Sequence, residues 1–396
     1  MPGFEIFGDT EKKEVMEVLD TGILFRYGFE QARKGRWKAK SFEEKLCRFT
    51  GAGFAHLCSS GTAALSIALA ACGIGAGDEV IIPPFTFVAT FEAVLNAGAI
   101  PVFGEIDETL CLNPDKLNAV VTEKTKAVIP VHMCGSMARI DKIKNFCTEK
   151  KLILIEDTCQ AIGGSFKGKH LGLFGDMGCF SFDAVKTITC GEGGAIVTDS
   201  SRLYQRACQY SDHGHDYLGG SDRGGDGHPI MGTNYRISEL NAAVGCAQLE
   251  RLGEIISIQK KNKKAIKNAI SDSSDVKFRE IPDPEGDSAS FLSFFLPDEA
   301  RAKKIIKRLG ENGVDACFYW YDNNWHYYKK WQHLQSMKSA ATLCAQLAEN
   351  IPDYKNLSLA ESDSVMKRTI SMLIKLSWTD STLDQRIAGI RKALKH

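Results

Sequence analysis

The sequence predicts an α/β protein: a large, mostly parallel sheet flanked by helices, followed by a smaller α+β unit. Three observations carry this. Short uninterrupted apolar runs recur at Val80-Ile81-Ile82, Ala127 to Val131 and Leu152 to Ile155, as expected of strands covered on both faces of a parallel sheet. Stretches with helical spacing alternate with them. Beyond about residue 255 the texture changes to shorter, mixed elements.

In chain order, the helical stretches are Thr62 to Ala71, Thr90 to Ala97, Ile140 to Lys150 and Glu239 to Asn268. In the last, Leu240, Val244, Ala247, Leu252 and Ile255 keep roughly helical spacing. Cys179 to Phe182 and Ala195 to Thr198 read as two more strands around a glycine-rich turn. Gly214 to Gly232 holds seven glycines with His, Asp and Arg, and reads as a long functional or mobile loop. Phe291 to Leu296, Val314 to Phe318 and Met372 to Leu376 read as strands, and Glu299 to Leu309 as a helix. Leu383, Ile387, Ile390 and Leu394 fall on one face of a closing helix. These elements predict a large domain over residues 1–255 and a small one over 256–396.

Composition excludes several classes. The 396 residues are 44% hydrophobic and 25% charged, ordinary for a globular protein. Lys+Arg and Asp+Glu both number 49, so the chain lacks the basic surplus of a general nucleic-acid binder. Thirteen cysteines without a CxxC pair read as reduced thiols and a cytoplasmic protein, with no metal site expected. The start, MPGFEIFGDTEKKEV, lacks the basic-then-apolar pattern of a signal peptide. The longest apolar stretch, Val80 to Gly104, is interrupted by Pro83, Pro84, Glu92 and Asn96, so no membrane span is expected. Gly73-Ile74-Gly75-Ala76-Gly77 follows a helix and precedes a strand, the reverse of a dinucleotide fingerprint, and reads as a helix-ending turn.

Four places carry chemistry. In CSSGTAAL (58–65), Ser59, Ser60, Gly61 and Thr62 turn into a helix. Exposed N–H groups there suit a phosphate, and an ordinary Ser/Thr cap is the other reading. LILIEDTCQA ends a buried strand at Glu156-Asp157. Ligands bind beyond the carboxyl ends of such strands, so Asp157 suits a protonated ring nitrogen, or else a helix cap. In CFSFDAVKTITCGEGG, Lys186 lies on a turn where partial desolvation would suit Schiff-base chemistry, against the plain reading of a surface lysine. TNYRISELNAA (233–243) offers Asn234 and Arg236 as anion donors, or simple capping by Ser238.

GTAAL, PPFTFVAT, EDTCQA, SFDAVK followed by GEGG, and NYRISELNAA occur in the order found in the DegT/DnrJ/EryC1/StrS sugar aminotransferases. The chain resembles this family over essentially its whole length. The resemblance implies fold type I, the aspartate-aminotransferase-like fold, with pyridoxal 5'-phosphate as cofactor. It implies a Schiff base at Lys186 and a ring-nitrogen partner at Asp157. Ser60, Gly61, Thr62 and Ser181 would hold the cofactor phosphate, Phe87 would pack on the pyridine ring, and Gln160 would lie near its other face or phenolate oxygen. It also implies a homodimer with shared sites, in which Asn234 reaches the neighbour's phosphate. Where many members read SFH-x-x-K this chain has Asp183, which leaves no role for that histidine ring. Relatives with histidine in place of the lysine are sugar dehydratases, so Lys186 favours transamination. A non-catalytic scaffold of this fold should lack the lysine or the carboxylate, and this chain has both.

MPGFEIFG, VHMCGSMARIDKIK, FDAVKTITCGEGG, DHGHDYLGG and FYWYDNNWHY look most like the 8-amino-3,8-dideoxy-manno-octulosonate (Kdo8N) aminotransferases. That resemblance implies transfer of an amino group from L-glutamate to the C8 aldehyde of 8-oxo-Kdo, in lipopolysaccharide synthesis, with 2-oxoglutarate released. The alternative acceptor is a nucleotide-linked keto sugar. A sugar acid needs cations, for which Arg26, Tyr27 and the run Arg33, Lys34, Arg36, Trp37, Lys38, Lys40 are the expected source, or else form a solvated basic surface. His213, His215 and His228 are further substrate candidates without metal-ligand spacing. Trp320, Trp325 and His326 line the sugar pocket or serve as core and rim aromatics.

Overall fold

The computed structural model describes residues 3–219, 223–343 and 345–395. Its strands are β1 (Phe54–Cys58), β2 (Glu79–Ile82), β3 (Ile100–Phe103), β4 (Thr125–Val128), β5 (Ile153–Asp157), β6 (Ser165–Phe166), β7 (Lys169–His170), β8 (Met177–Ser181), β9 (Gly194–Thr198), β10 (Lys277–Phe278), β11 (Phe291–Phe295), β12 (Cys317–Phe318) and β13 (Thr369–Leu373). Seven form one sheet in the order β1-β9-β8-β5-β4-β2-β3. β3, β2, β4, β5 and β8 run parallel, and β9 is antiparallel to both its neighbours. Five of the strands therefore end on the same side, together with β1.

The apolar runs explain the sheet. Val80, Ile81 and Ile82 are fully buried because helices cover both faces. The helix Gly61–Cys72, nine of its twelve residues buried, packs against β8 and β9. Its apolar character all round is what a helix enclosed by sheet and neighbours requires. The helices Ala89–Asn96 and Ile140–Lys150 stand within a residue of their predicted limits. The predicted helix 239–268 is instead two, Glu239–Glu250 and Leu252–Ala269. At Arg251 (φ −93°, ψ −1°) the N–H bonds back to Gln248 and Leu249, a tightened turn that redirects the chain. Two helices that the sequence reading did not identify, Asp9–Leu19 and Lys38–Thr50, pack on Glu239–Glu250.

A four-stranded antiparallel sheet, β10-β11-β13-β12, forms the C-terminal part, with helices Glu299–Glu311 and Asp380–Leu394 packed together beside it. Its own core holds Leu292, Phe294, Ile305, Ile370 and Ile390. Phe291, Phe295 and Trp320 belong instead to the core that runs under the large sheet. Among the described residues no helix is long and apolar enough to cross a membrane, every cysteine is free, and no group of three His, Cys, Asp or Glu could hold a metal.

Candidate active site

A cavity of about 710 Å³ opens at the carboxyl ends of β1, β2, β5 and β8, where ligands bind in open α/β sheets. Ser60, Gly61, Thr62, Phe87, Asp157, Gln160, Ser181, Lys186 and Trp320 all line it.

Ser60 caps the helix Gly61–Cys72, its Oγ accepting the Ala63 N–H at 3.0 Å. The capping reading thus holds, and the helix start still faces the cavity, with the Gly61 and Thr62 N–H groups lacking intrahelical partners. Two glycines make room for this. A Cβ on Gly61 would stand 2.7 Å from Ser181 Cβ, and one on Gly194 would stand 2.2 Å from Ser60 O. Gly61 and Gly194 let the β1–helix turn press against β8 and β9.

Successive strand residues face opposite ways, which separates the two carboxylates that end β5. Glu156 turns to the far side, where its oxygens accept the N–H groups of Gly172, Phe174 and Gly175 at 2.9, 2.5 and 2.8 Å and meet His132 Nε2 at 3.0 Å. It is structural. Asp157, 4% exposed, faces the cavity. Its Oδ2 accepts from Thr90 Oγ1 at 2.8 Å and its Oδ1 from the Cys159 N–H at 3.1 Å. Thr90's hydrogen being committed, Thr86 donates to Thr90 at 2.7 Å. Gln160 is held by its Oε1, which accepts the Cys134 N–H at 3.0 Å.

Lys186 sits on a turn closed by Phe182 N–H to Gly193 O and Cys190 N–H to Phe182 O, both 2.8 Å. Asp183 shapes this turn: its Oδ1 accepts the Val185 N–H at 2.9 Å, and its carbonyl accepts the Lys186 N–H at 3.0 Å. The Gly3 N–H caps Lys186 O at 3.0 Å. Lys186 Nζ lies 5.9 Å from the centre of the Phe87 ring.

The opposite wall comes from the C-terminal part: Phe318, Trp320, Asn323, Trp325 and His326. Pro83 and Pro84 keep the chain after β2 extended. That segment pairs with this wall through Thr86 N–H to His326 O at 3.0 Å and Val88 N–H to Trp325 O at 2.9 Å. Trp325 stacks on Phe87 at 5.7 Å. Burial, and then the charge of Lys186, push His326 down to about 3, so its ring is neutral. Trp320 is 3% exposed and its indole N–H is buried without a partner among the described residues.

The candidates at residues 26–40, the loop histidines and Asn234 do not line this cavity. Arg26 is 5% exposed and committed to Leu57 O and Glu43, each at 2.7 Å. Tyr27 meets Tyr217 hydroxyl to hydroxyl at 3.1 Å. Arg33, Arg36 and Lys38 pair with Glu239, with Asp20, and with Glu14 and Glu17. No residue of 26–40 reaches the cavity, because local acids and backbone carbonyls take up most of the cations of this segment. In the glycine-rich loop, His215 pairs with Asp226 at 3.1 Å and packs on His228, and His213 serves through its carbonyl. Asn234 caps the Arg236 N–H at 3.2 Å. The sequence reading missed Phe4, Glu5, Thr86, Thr90 and Asn323 as cavity residues. PPFTFVAT contains both threonines, but Thr86 lies in the extended segment before the helix Ala89–Asn96 and meets Thr90 across the helix start, which the motif alone does not show.

The DegT/DnrJ/EryC1/StrS aminotransferase family model matches residues 6–369. The GDP-perosamine synthase of Vibrio cholerae is 37% identical over 251 residues, covering 63% of this chain and 65% of that one. The spore coat polysaccharide biosynthesis protein SpsC of Bacillus subtilis is 31% identical over 408 residues, covering 98% and 96%. Among solved structures, the aminotransferase from Psychrobacter cryohalolentis superposes with a TM-score of 0.84 at 26% identity, covering 98% and 96%.

The chain belongs to the DegT/DnrJ/EryC1/StrS aminotransferase family, and its fold is that of the fold type I enzymes. It is a pyridoxal-phosphate-dependent aminotransferase. The closer likeness to Kdo8N aminotransferases is not matched by these relatives and rests on its sequence stretches alone.

The residues present fit the cofactor. A buried carboxylate, Asp157, a lysine, Lys186, and a helix start cleared of side chains at Gly61 and edged by Ser181 lie around one cavity. When bound, pyridoxal phosphate supplies an electron sink for a carbanion at the donor's α-carbon.

Proposed function

We propose that this protein moves an amino group from L-glutamate to the carbonyl carbon of a sugar, with a nucleotide-linked keto sugar as acceptor. The presence of Lys186 and Asp157 in the lining of one cavity carries the reading. Asp157, held by Thr90 and the Cys159 N–H, keeps a negative charge in position for a protonated ring nitrogen. Gly61, Thr62, Ser60 and Ser181 hold a phosphate, which keeps the reactive carbon in place. Phe87 covers the ring, and Gln160 contacts it from the wall fixed by Cys134. Lys186 Nζ, once released by the incoming amine, takes and returns the proton at the substrate carbon. Asn234 would complete the phosphate site across a homodimer. The acceptor class is supported by relatives named for GDP-perosamine.

A second acceptor, the C8 aldehyde of 8-oxo-Kdo giving Kdo8N for lipopolysaccharide, is favoured by a separate observation. Stretches that carry that resemblance line the cavity: Phe4 and Glu5 from MPGFEIFG, and Phe318, Trp320, Asn323, Trp325 and His326 from FYWYDNNWHY. The test offers L-glutamate with GDP-4-keto-6-deoxymannose and, separately, with 8-oxo-Kdo, following 2-oxoglutarate release and the aminated sugar. Turnover of the first supports the main reading, and turnover of 8-oxo-Kdo alone replaces it with the second. Turnover of neither, with glutamate still converted, rejects both acceptors.

A further inference from the structure

One group on the cavity wall is not used by the chemistry above. His326 lies 5.4 Å from Phe87 and 4.6 Å from Trp320, ring centre to ring centre, and its surroundings fix where its proton sits. Asn323 Oδ1 accepts the Trp325 backbone N–H at 2.9 Å. That partner can only donate, which identifies the atom as the amide oxygen. The same oxygen lies 3.0 Å from His326 Nδ1, so Nδ1 carries the proton. In a neutral ring, Nε2 is then a bare lone pair. The backbone bonds of Thr86 and Val88 to residues 326 and 325 hold the segment in this position.

A bare lone pair accepts one hydrogen and opposes anions. Carboxylates and phosphates offer only acceptor oxygens, whereas a sugar hydroxyl offers a hydrogen. Of the two substrates, L-glutamate has no hydroxyl and the sugar has several. We propose that His326 Nε2 accepts a hydrogen bond from a hydroxyl of the amino-accepting sugar. His326 is then a specificity-determining residue for the second half of the reaction, and Asn323 is the positioning residue that sets its tautomer. This rests on the sugar-amination reading above.

Two readouts test it. Nitrogen NMR of histidine-labelled holoenzyme, with the His326 signals identified by their loss in His326→Gln, should show a neutral ring protonated at Nδ1. Stopped-flow absorbance should then separate the half-reactions with L-glutamate and with whichever of GDP-4-keto-6-deoxymannose or 8-oxo-Kdo the wild type converts. In His326→Phe a melting curve close to wild type should show that the variant folds, and any loss in the glutamate half-reaction should be much smaller than the loss with sugar. The sugar half-reaction should lose about tenfold or more in kcat/KM, the scale of one missing hydrogen bond to a buried group. Asn323→Ala should lose less, in the same direction. An Nε2-protonated or cationic ring, or equal loss in both half-reactions, overturns the assignment. Failure of the wild type to convert either sugar counts against the proposed function, while the tautomer still decides the state of His326.

Discussion

Replacing Gly61 with alanine tests how the phosphate end of the cavity is built. Gly61 begins the helix Gly61–Cys72 without a positive φ, so alanine adds no backbone strain there. The added Cβ would lie 2.7 Å from Ser181 Cβ, 3.0 Å from Ser181 Oγ and 3.1 Å from Cys159 Sγ. Carbon atoms prefer about 3.5–4.0 Å, so the first contact is roughly 1 Å too short. Relief must move either Ser181 or the helix start, and both belong to the proposed phosphate site. Overpacking of this kind costs about 1–3 kcal/mol. The helix gain of alanine over glycine returns at most about 1 kcal/mol. The apoenzyme should therefore lose modest stability, while cofactor affinity falls by about tenfold or more, since roughly 1.4 kcal/mol is one factor of ten. Absorbance titration of apoenzyme with pyridoxal phosphate, beside a melting curve without it, separates the two effects. Unchanged affinity in a variant with wild-type Tm would refute the reasoning.

Other perturbations probe the remaining parts. Lys186→Ala should lose the visible absorbance of the bound cofactor and all transamination, and turnover in purified variant protein would contradict its role. Thr90→Val keeps shape but removes the donor 2.8 Å from Asp157 Oδ2; a hydrogen bond to a charged group is worth about 1.5–3 kcal/mol, so kcat should fall by roughly ten- to a hundredfold with cofactor still bound. Arg26→Ala should lower Tm sharply, by the equivalent of about 3–5 kcal/mol, because Glu43 loses its buried partner. The KM for sugar should not change, and a raised KM at unchanged Tm would restore Arg26 to the substrate site. His326 also predicts a pH effect on stability. Its folded value, about 3, lies below its unfolded value, so the unfolded chain takes up a proton first as pH falls. Stability contributed near pH 7 is thus lost on descending below roughly 6.5, by about 2 kcal/mol at pH 5. His326→Phe should flatten the change in Tm between pH 7 and pH 5.

The sheet was legible because its strands are buried on both faces, so Val80 to Ile82 and Ile153 to Asp157 stand out without any alternation. The Lys186 turn was legible because an apolar strand, a lysine and GEGG fall in one short stretch. The cation segment was misread for a physical reason. A sequence shows that Arg26 and Lys38 are charged, but not that Glu43, Glu14 and Glu17 fold against them. The break at Arg251 was hidden because both flanking helices keep apolar positions in phase across it. Thr90 went unseen because its role is a contact across the fold, to Asp157, 67 residues away; Thr86 and Asn323 bond locally, but the cavity they line is assembled from distant segments.

The most direct measurement follows the visible spectrum of the holoenzyme through one full cycle. L-Glutamate should bleach the band of the bound pyridoxal form as the enzyme becomes the pyridoxamine form, releasing one 2-oxoglutarate per site. Addition of an accepting sugar, GDP-4-keto-6-deoxymannose or 8-oxo-Kdo, should restore the band and yield the aminated sugar. A band that glutamate leaves unchanged, in protein shown to hold the cofactor at Lys186, would contradict the account.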